Sequence, residues 1–234
     1  MPVTAIPPNC FRQILERGYE FHVFISWPET LQAQGLKIVE QLVDSLEDRF
    51  RNFGGGNVFW NKAAVETGEK WDPKLRRSVS RSGILLAILL DSYFLSEYCR
   101  IEWNITETLQ KGRLPEDADA TCVIPLLLQE DAQLPTQLRA VQCDTSFAKM
   151  RTYSRNPNKH PAWNEAIEKL VGRIRTVLTV MCQQPSAKAK DWEADEATAR
   201  QTKPKVFTWE APASAPPSRP MRKLPRAVSG KSKL

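Results

Sequence analysis

This 234-residue chain has no apolar run longer than seven residues, Ile84 to Leu90. A membrane-crossing helix needs about 20, so no transmembrane segment is expected. There are only two histidines, His22 and His160, which excludes a histidine-rich metal centre, and no metal site is expected. The five cysteines, Cys10, Cys99, Cys122, Cys143 and Cys182, lie far apart with no Cys-x-x-Cys pair. Their odd number and spacing fit reduced thiols better than a disulfide framework. The opening MPVTAIPPN lacks the basic stretch and apolar core of a secretory signal, so a cytoplasmic protein is expected.

Net charge is absent from most of the chain. Residues 1–182 hold 22 Lys and Arg against 22 Asp and Glu, and the whole formal charge of +6 falls in residues 183–234. A nucleic-acid-binding surface on the domain is therefore not expected. Gly54-Gly55-Gly56 is no phosphate loop, because no Lys-Ser/Thr follows and the next element reads as a strand. No internal repeat is evident.

What the chain does have is alternation of strand and helix. Phe21–Ser26 reads as a strand ended by Trp27-Pro28, after a lead-in segment, 1–17, whose short helix Gly18 closes. Leu36, Val39, Leu42, Val43, Leu46 and Phe50 recur at helical spacing, predicting an amphipathic helix over 34–53 that the glycines stop. A short strand at 57–60, a helix at about 71–81, the Ile84–Leu90 strand and a helix at about 95–111 follow. Thr121–Leu128 predicts a fourth strand, irregular or near an edge because of Pro125. Val141-Gln142-Cys143 predicts a short fifth strand, and 163–181 a last amphipathic helix. The pattern predicts an α/β fold of flavodoxin-like topology: a five-stranded parallel sheet in order 2-1-3-4-5 with helices on both faces.

Beyond residue 182 the pattern breaks down. Six prolines from Pro204 to Pro225 punctuate an Ala/Ser/Lys/Arg-rich stretch, and residues 183–234 are expected to be a disordered basic tail. Trp192, Phe207 and Trp209 inside it are either incidental or a docking segment that orders on a partner. The closing Ser232-Lys233-Leu234 spells a peroxisomal address if the source is a eukaryote.

In the predicted order, loops leaving the first and third strands diverge and open a crevice at the carboxyl end of the sheet. The first strand delivers Ser26 and Trp27 there. The third delivers Asp91, Ser92 and Tyr93, and the next helix carries Ser96, Tyr98 and Glu102. Tyr98 and Glu102, four apart, fall on one helical face. An aromatic ring beside a carboxylate could cradle a positively charged ring. A two-component receiver domain shares this topology but needs clustered acids after the first strand, which Ser26-Trp27-Pro28 does not supply.

Three segments resemble the conserved boxes of a TIR domain: Tyr19–Trp27 (YEFHVFISW), Val58–Ser82 and Leu86–Trp103 (LAILLDSYFLSEYCRIEW). The third carries the fairly specific Ser96-Glu97-Tyr98-Cys99-Arg100-Ile101-Glu102. The resemblance spans about 18–180 and implies a TIR domain over 18–182. Tyr98 replaces the family's usual tryptophan, and Asn61 stands where an aspartate is common. TIR domains divide between NAD+-cleaving enzymes and scaffolds that act through TIR–TIR contacts.

As an enzyme of the family, of the prokaryotic type that serves immune defence or virulence, the chain would have Glu102 as its catalytic residue. It would use NAD+ as substrate and need no cofactor. Ser26, Trp27, Asn61, Trp71, Ser96, Tyr98 and Cys99 would line the substrate site. Trp27 equally suits a cap on the core, and Trp71 the packing of its own helix. Glu66, Gly68 and Lys70 would lie in the loop through which the family self-associates, although Gly68 also suits a tight turn. Lys70, Arg76, Arg77 and Arg81 form a basic face that is either merely solvated or turned toward an anionic ligand or neighbour. With no sensor domain visible, a trigger from an activating partner protein or from the tail is expected.

Overall fold

The computed structural model describes residues 10–28, 33–60, 72–129, 134–138, 143–152, 156–184 and 191–209. Strands β1 (Phe21–Ser26), β2 (Val58–Phe59), β3 (Ser82–Leu89) and β4 (Val123–Leu127) form one parallel sheet in the order β2-β1-β3-β4. The helices are α1 (Cys10–Glu16), α2 (Ala33–Arg51), α3 (Asp72–Ser80), α4 (Glu97–Gln110), α5 (Trp163–Gln183) and α6 (Trp192–Gln201).

Because side chains alternate along a strand, each central strand feeds two cores. Ile84, Leu86, Ile88 and Leu90 point into a core shared with α1, α2 and α5. Leu85, Ala87 and Leu89 point into the opposite core, under α3 and α4. Val23 and Ile25 join the first core and Phe24 the second. All eight residues of β3 are buried, which is why it reads as an unbroken apolar run. At such a position Leu86→Ala would remove about 2–5 kcal/mol.

The expected fifth strand shrinks to one residue among those described. Val141 and Gln142 lie outside the described residues, and Cys143 is not in a strand. Asp144 alone bridges to β4, its N–H donating to Pro125 O at 2.9 Å and its carbonyl accepting from Leu127 N–H at 2.8 Å. That geometry also explains how proline sits in a strand. The carbonyl of Pro125 faces Asp144, so its ring nitrogen faces the same outer edge, and pairing with β3 loses no donor.

Two further expectations need correction. The lead-in helix is part of the domain: Phe11 and Ile14 of α1 are buried in the α2/α5-side core. His22 ties it down. The ring accepts the Asn57 N–H at Nδ1 (2.9 Å), which leaves the proton on Nε2 to donate to Phe11 O (2.8 Å).

Disorder from residue 183 onward does not hold for 191–209, which form α6 and an extended segment packed on α3 and α4. Trp192 stands edge-on to Tyr19, and the Arg81 guanidinium lies over its ring at 4.6 Å. Arg81 also pairs with Glu196, and Arg76 donates to Ala199 O and Thr202 O at the end of α6. The basic face expected on α3 is thus largely occupied by the chain's own continuation. Lys70 lies outside the described residues.

Candidate active site

The order β2-β1-β3-β4 places the divergence of loops between β1 and β3. Three side chains converge there from three elements. Ser26 ends β1. Tyr93 comes from the single 3-10 turn Asp91–Phe94 that follows β3, and Glu102 from α4. Helix α4 starts where it does because Ser96 caps it, its hydroxyl accepting the Cys99 N–H at 3.4 Å.

Glu102 is only 6% exposed. It lies on the stripe Cys99, Glu102, Thr106, Leu109, whose 3-4-3 spacing is the buried face of α4. An acid in such a place needs a partner. Ser26 Oγ donates to Glu102 Oε2, and the same oxygen lies 2.8 Å from the Tyr93 hydroxyl.

The direction of that second bond follows from proton counting. Burial, and after it the neighbouring Cys99 and Glu102, push the Tyr93 phenol well above its ordinary pKa, against the opposing effect of the Ser26 hydrogen bond. The phenol therefore keeps its proton. Ser26 has one proton, already given to Glu102, so it accepts from Tyr93. The result is a relay running Tyr93 O–H, Ser26 O–H, Glu102 carboxylate. It orients one carboxylate and leaves it an acceptor. No group of His, Cys, Asp and Glu among the described residues could hold a metal ion.

A family model described as TIR domain matches residues 23–157, more than half of the chain. The chain belongs to the TIR domain family. Among solved structures it is similar to the TIR domains of the activated Roq1 resistosome directly recognizing the pathogen effector XopQ. That likeness has 16% identity and a TM-score of 0.34, and covers 78% of this chain and 96% of that one. A search of curated proteins finds no match.

The site residues expected from the TIR signature are only partly brought together. Ser26 and Glu102 are in direct contact. Ser96 is the helix cap and Cys99 is buried in the α3/α4-side core, so both build the frame that carries Glu102. Tyr98 is 44% exposed, unlike the acid one turn later. Trp27 is half-buried against the α2/α5-side core, the arrangement of a core cap. Asn61, Glu66, Gly68, Lys70 and Trp71 lie outside the described residues.

Tyr93 has a contact that sequence reasoning did not assign. Its position in the turn after the third strand was visible; its bond to Ser26, 67 residues away, carries no local signal.

Proposed function

We propose that this TIR protein is an NAD+ glycohydrolase with Glu102 as its catalytic residue. What carries the reading is a buried carboxylate, oriented by Ser26, at the carboxyl ends of β1 and β3. In the reaction the bond between the nicotinamide nitrogen and ribose C1′ breaks, and its electron pair stays on nitrogen. The pyridinium leaves as neutral nicotinamide, so no general acid has to protonate it. The ribose becomes oxocarbenium-like, and Glu102 stabilises it by charge and by accepting hydrogen bonds from ribose hydroxyls. Attack at C1′ by water gives ADP-ribose and a proton; attack by a nucleophile on the same molecule gives a cyclic isomer.

In this reading the exposed face of Tyr98 stacks on nicotinamide, with Ser26 and Trp27 near the base of the pocket and Ser96 and Cys99 supporting it. Asn61 and Trp71 complete the rim. Self-association through the loop containing Glu66, Gly68 and Lys70 assembles the active form, under control of an activating partner, and the cytoplasmic outcome is loss of NAD+ in defence or virulence.

The test is nicotinamide release from NAD+ by the full chain, with and without a crowding agent that promotes assembly, beside Glu102→Ala and Glu102→Gln. Wild type is expected to release nicotinamide and each variant about 10²-fold less or slower still. No release from assembled wild-type protein refutes the enzyme and leaves a scaffold acting through TIR–TIR contacts. Release that survives both substitutions removes Glu102 from the mechanism.

A further inference from the structure

Helix α4 carries a second stripe beside the one that holds Glu102. Arg100, Trp103, Asn104 and Glu107 are spaced three, one and three apart, and the extended segment after α6 runs along them. The Lys205 N–H donates to Arg100 O at 3.1 Å, Asn104 Nδ2 donates to Lys203 O at 2.9 Å, and Lys205 Nζ pairs with the Glu107 carboxylate. Thr136 N–H donates to Thr208 O at 2.8 Å, fastening the far end of the segment. Extended backbone turns alternate side chains to opposite sides. Phe207 accordingly points inward and is 6% exposed, while its neighbour Val206 is 74% exposed.

Phe207 joins a cluster of rings to which Trp209 also belongs, edge-on to Phe94 at 6.1 Å. Phe207 meets Phe94 at 5.1 Å and Trp103 at 5.6 Å, both edge-on. Those two rings meet Tyr93 at 5.5 Å and 6.2 Å, again edge-on. Tyr93 is the residue that donates to Ser26, and Trp103 is the chain neighbour of Glu102. We infer that Phe207 is a positioning residue for the Glu102 site, and that the 202–209 segment backs Phe94 and Trp103 so that Tyr93 and α4 hold the relay in register. Phe207 is two ring contacts from Tyr93 by way of either Phe94 or Trp103, and the carboxylate lies two hydrogen bonds beyond Tyr93. Without the segment, the outer faces of Phe94 and Trp103 meet water and the Tyr93 ring loses its backing.

The catalytic half of this inference rests on the NAD+-cleaving reading; the packing half does not. Four full-length proteins test it: wild type, Phe207→Ala, Phe207→Leu, and Val206→Ser as a control on the outward side. Hydrogen exchange is followed in peptides covering 91–103 and, for comparison, β3 at 82–89. Phe207→Ala is expected to speed exchange over 91–103 about tenfold without changing 82–89. It is also expected to lower kcat for nicotinamide release about tenfold with KM within twofold, as loss of orientation does.

Phe207→Leu recovers most of both effects, and Val206→Ser matches wild type. Unchanged exchange at 91–103 overturns the inference, as does equal acceleration at 82–89, which marks general destabilisation. Faster exchange with unchanged kcat also overturns it. Wild-type protein that releases no nicotinamide defeats the catalytic reading, and the exchange comparison alone then decides whether Phe207 holds this part of the site.

Discussion

Ser26→Ala removes one oxygen and two hydrogen bonds, and its cost follows from what is left behind. Glu102 Oε2 loses the donor that Ser26 supplies. A hydrogen bond to a charged group contributes about 1.5–3 kcal/mol. The Tyr93 hydroxyl is left facing Cys99 O at 3.5 Å, too far for a good bond, and that adds about 1 kcal/mol. The expected loss is therefore about 3 kcal/mol, or about 6–12 °C in Tm for a domain of this size.

The charge on Glu102 makes the argument sharper. Glu102→Gln keeps the shape and an acceptor oxygen but removes a buried charge, so its own stability should lie within about 1 kcal/mol of wild type or above it. In that background the serine donates to a neutral amide, and Ser26→Ala should cost about 1–2 kcal/mol less. Urea denaturation of wild type, the two single variants and the double variant gives the coupling energy directly. If Ser26→Ala costs the same in both backgrounds to within about 0.5 kcal/mol, the serine is not serving the carboxylate. The relay would then be wrong, whatever the activity.

Two other buried polar groups give independent predictions. Arg113 uses both arms of its guanidinium, donating to Ser80 O and Ser82 O at 2.8 Å each and so joining the end of α3 to the start of β3. Lysine cannot present that fork, so Arg113→Lys should cost about 2–3 kcal/mol in thermal denaturation, and a loss below about 0.5 kcal/mol would count against it. Burial lowers the pKa of His22 from 6.5 in spite of the hydrogen bond its ring donates to Phe11 O. Above that value both states are neutral. Below it the unfolded chain takes up the proton first, so stability should fall as pH drops from 6.5 toward the folded value, by at most about 1.4 kcal/mol per pH unit. Urea midpoints between pH 8 and 5 should show that slope, and His22→Gln should flatten it; an unchanged slope in His22→Gln assigns the effect elsewhere.

The sheet was legible because two periodicities were strong: the unbroken β3 run and the three-four spacing of α2 and α5. The carboxyl-end crevice followed from strand order alone. Burial of Glu102 also had a signal, for Cys99, Thr106 and Leu109 share its stripe, yet pairing it with Tyr98 by four-residue spacing hid this. Residues four apart are offset by about 40° around a helix, enough here to put Tyr98 at the surface and Glu102 inside. The Ser26–Tyr93 bond and the bridge from Asp144 to β4 are long-range events with no local pattern. Neither could be read from windows of sequence.

The 191–209 segment failed for a different reason, and the reason bears on the site. Mean composition judges whether a stretch can bury enough apolar surface of its own. This one does not need to, because it adds rings to a surface the domain already provides. Trp192 finds Tyr19 and Arg81, and Phe207 finds Phe94 and Trp103. Two of its charges, too, are answered by the domain: Glu196 by Arg81, and Lys205 by Glu107. The Arg81 hydrogen bonds hold Glu196 below the usual carboxylate range, so this anchor weakens only in acid. Trp192 and Phe207 are thus not incidental, and what they pack on is the chain's own domain. A domain that packs the 202–209 segment against the helix bearing Glu102 has a means of holding that helix which the match over 23–157 does not include.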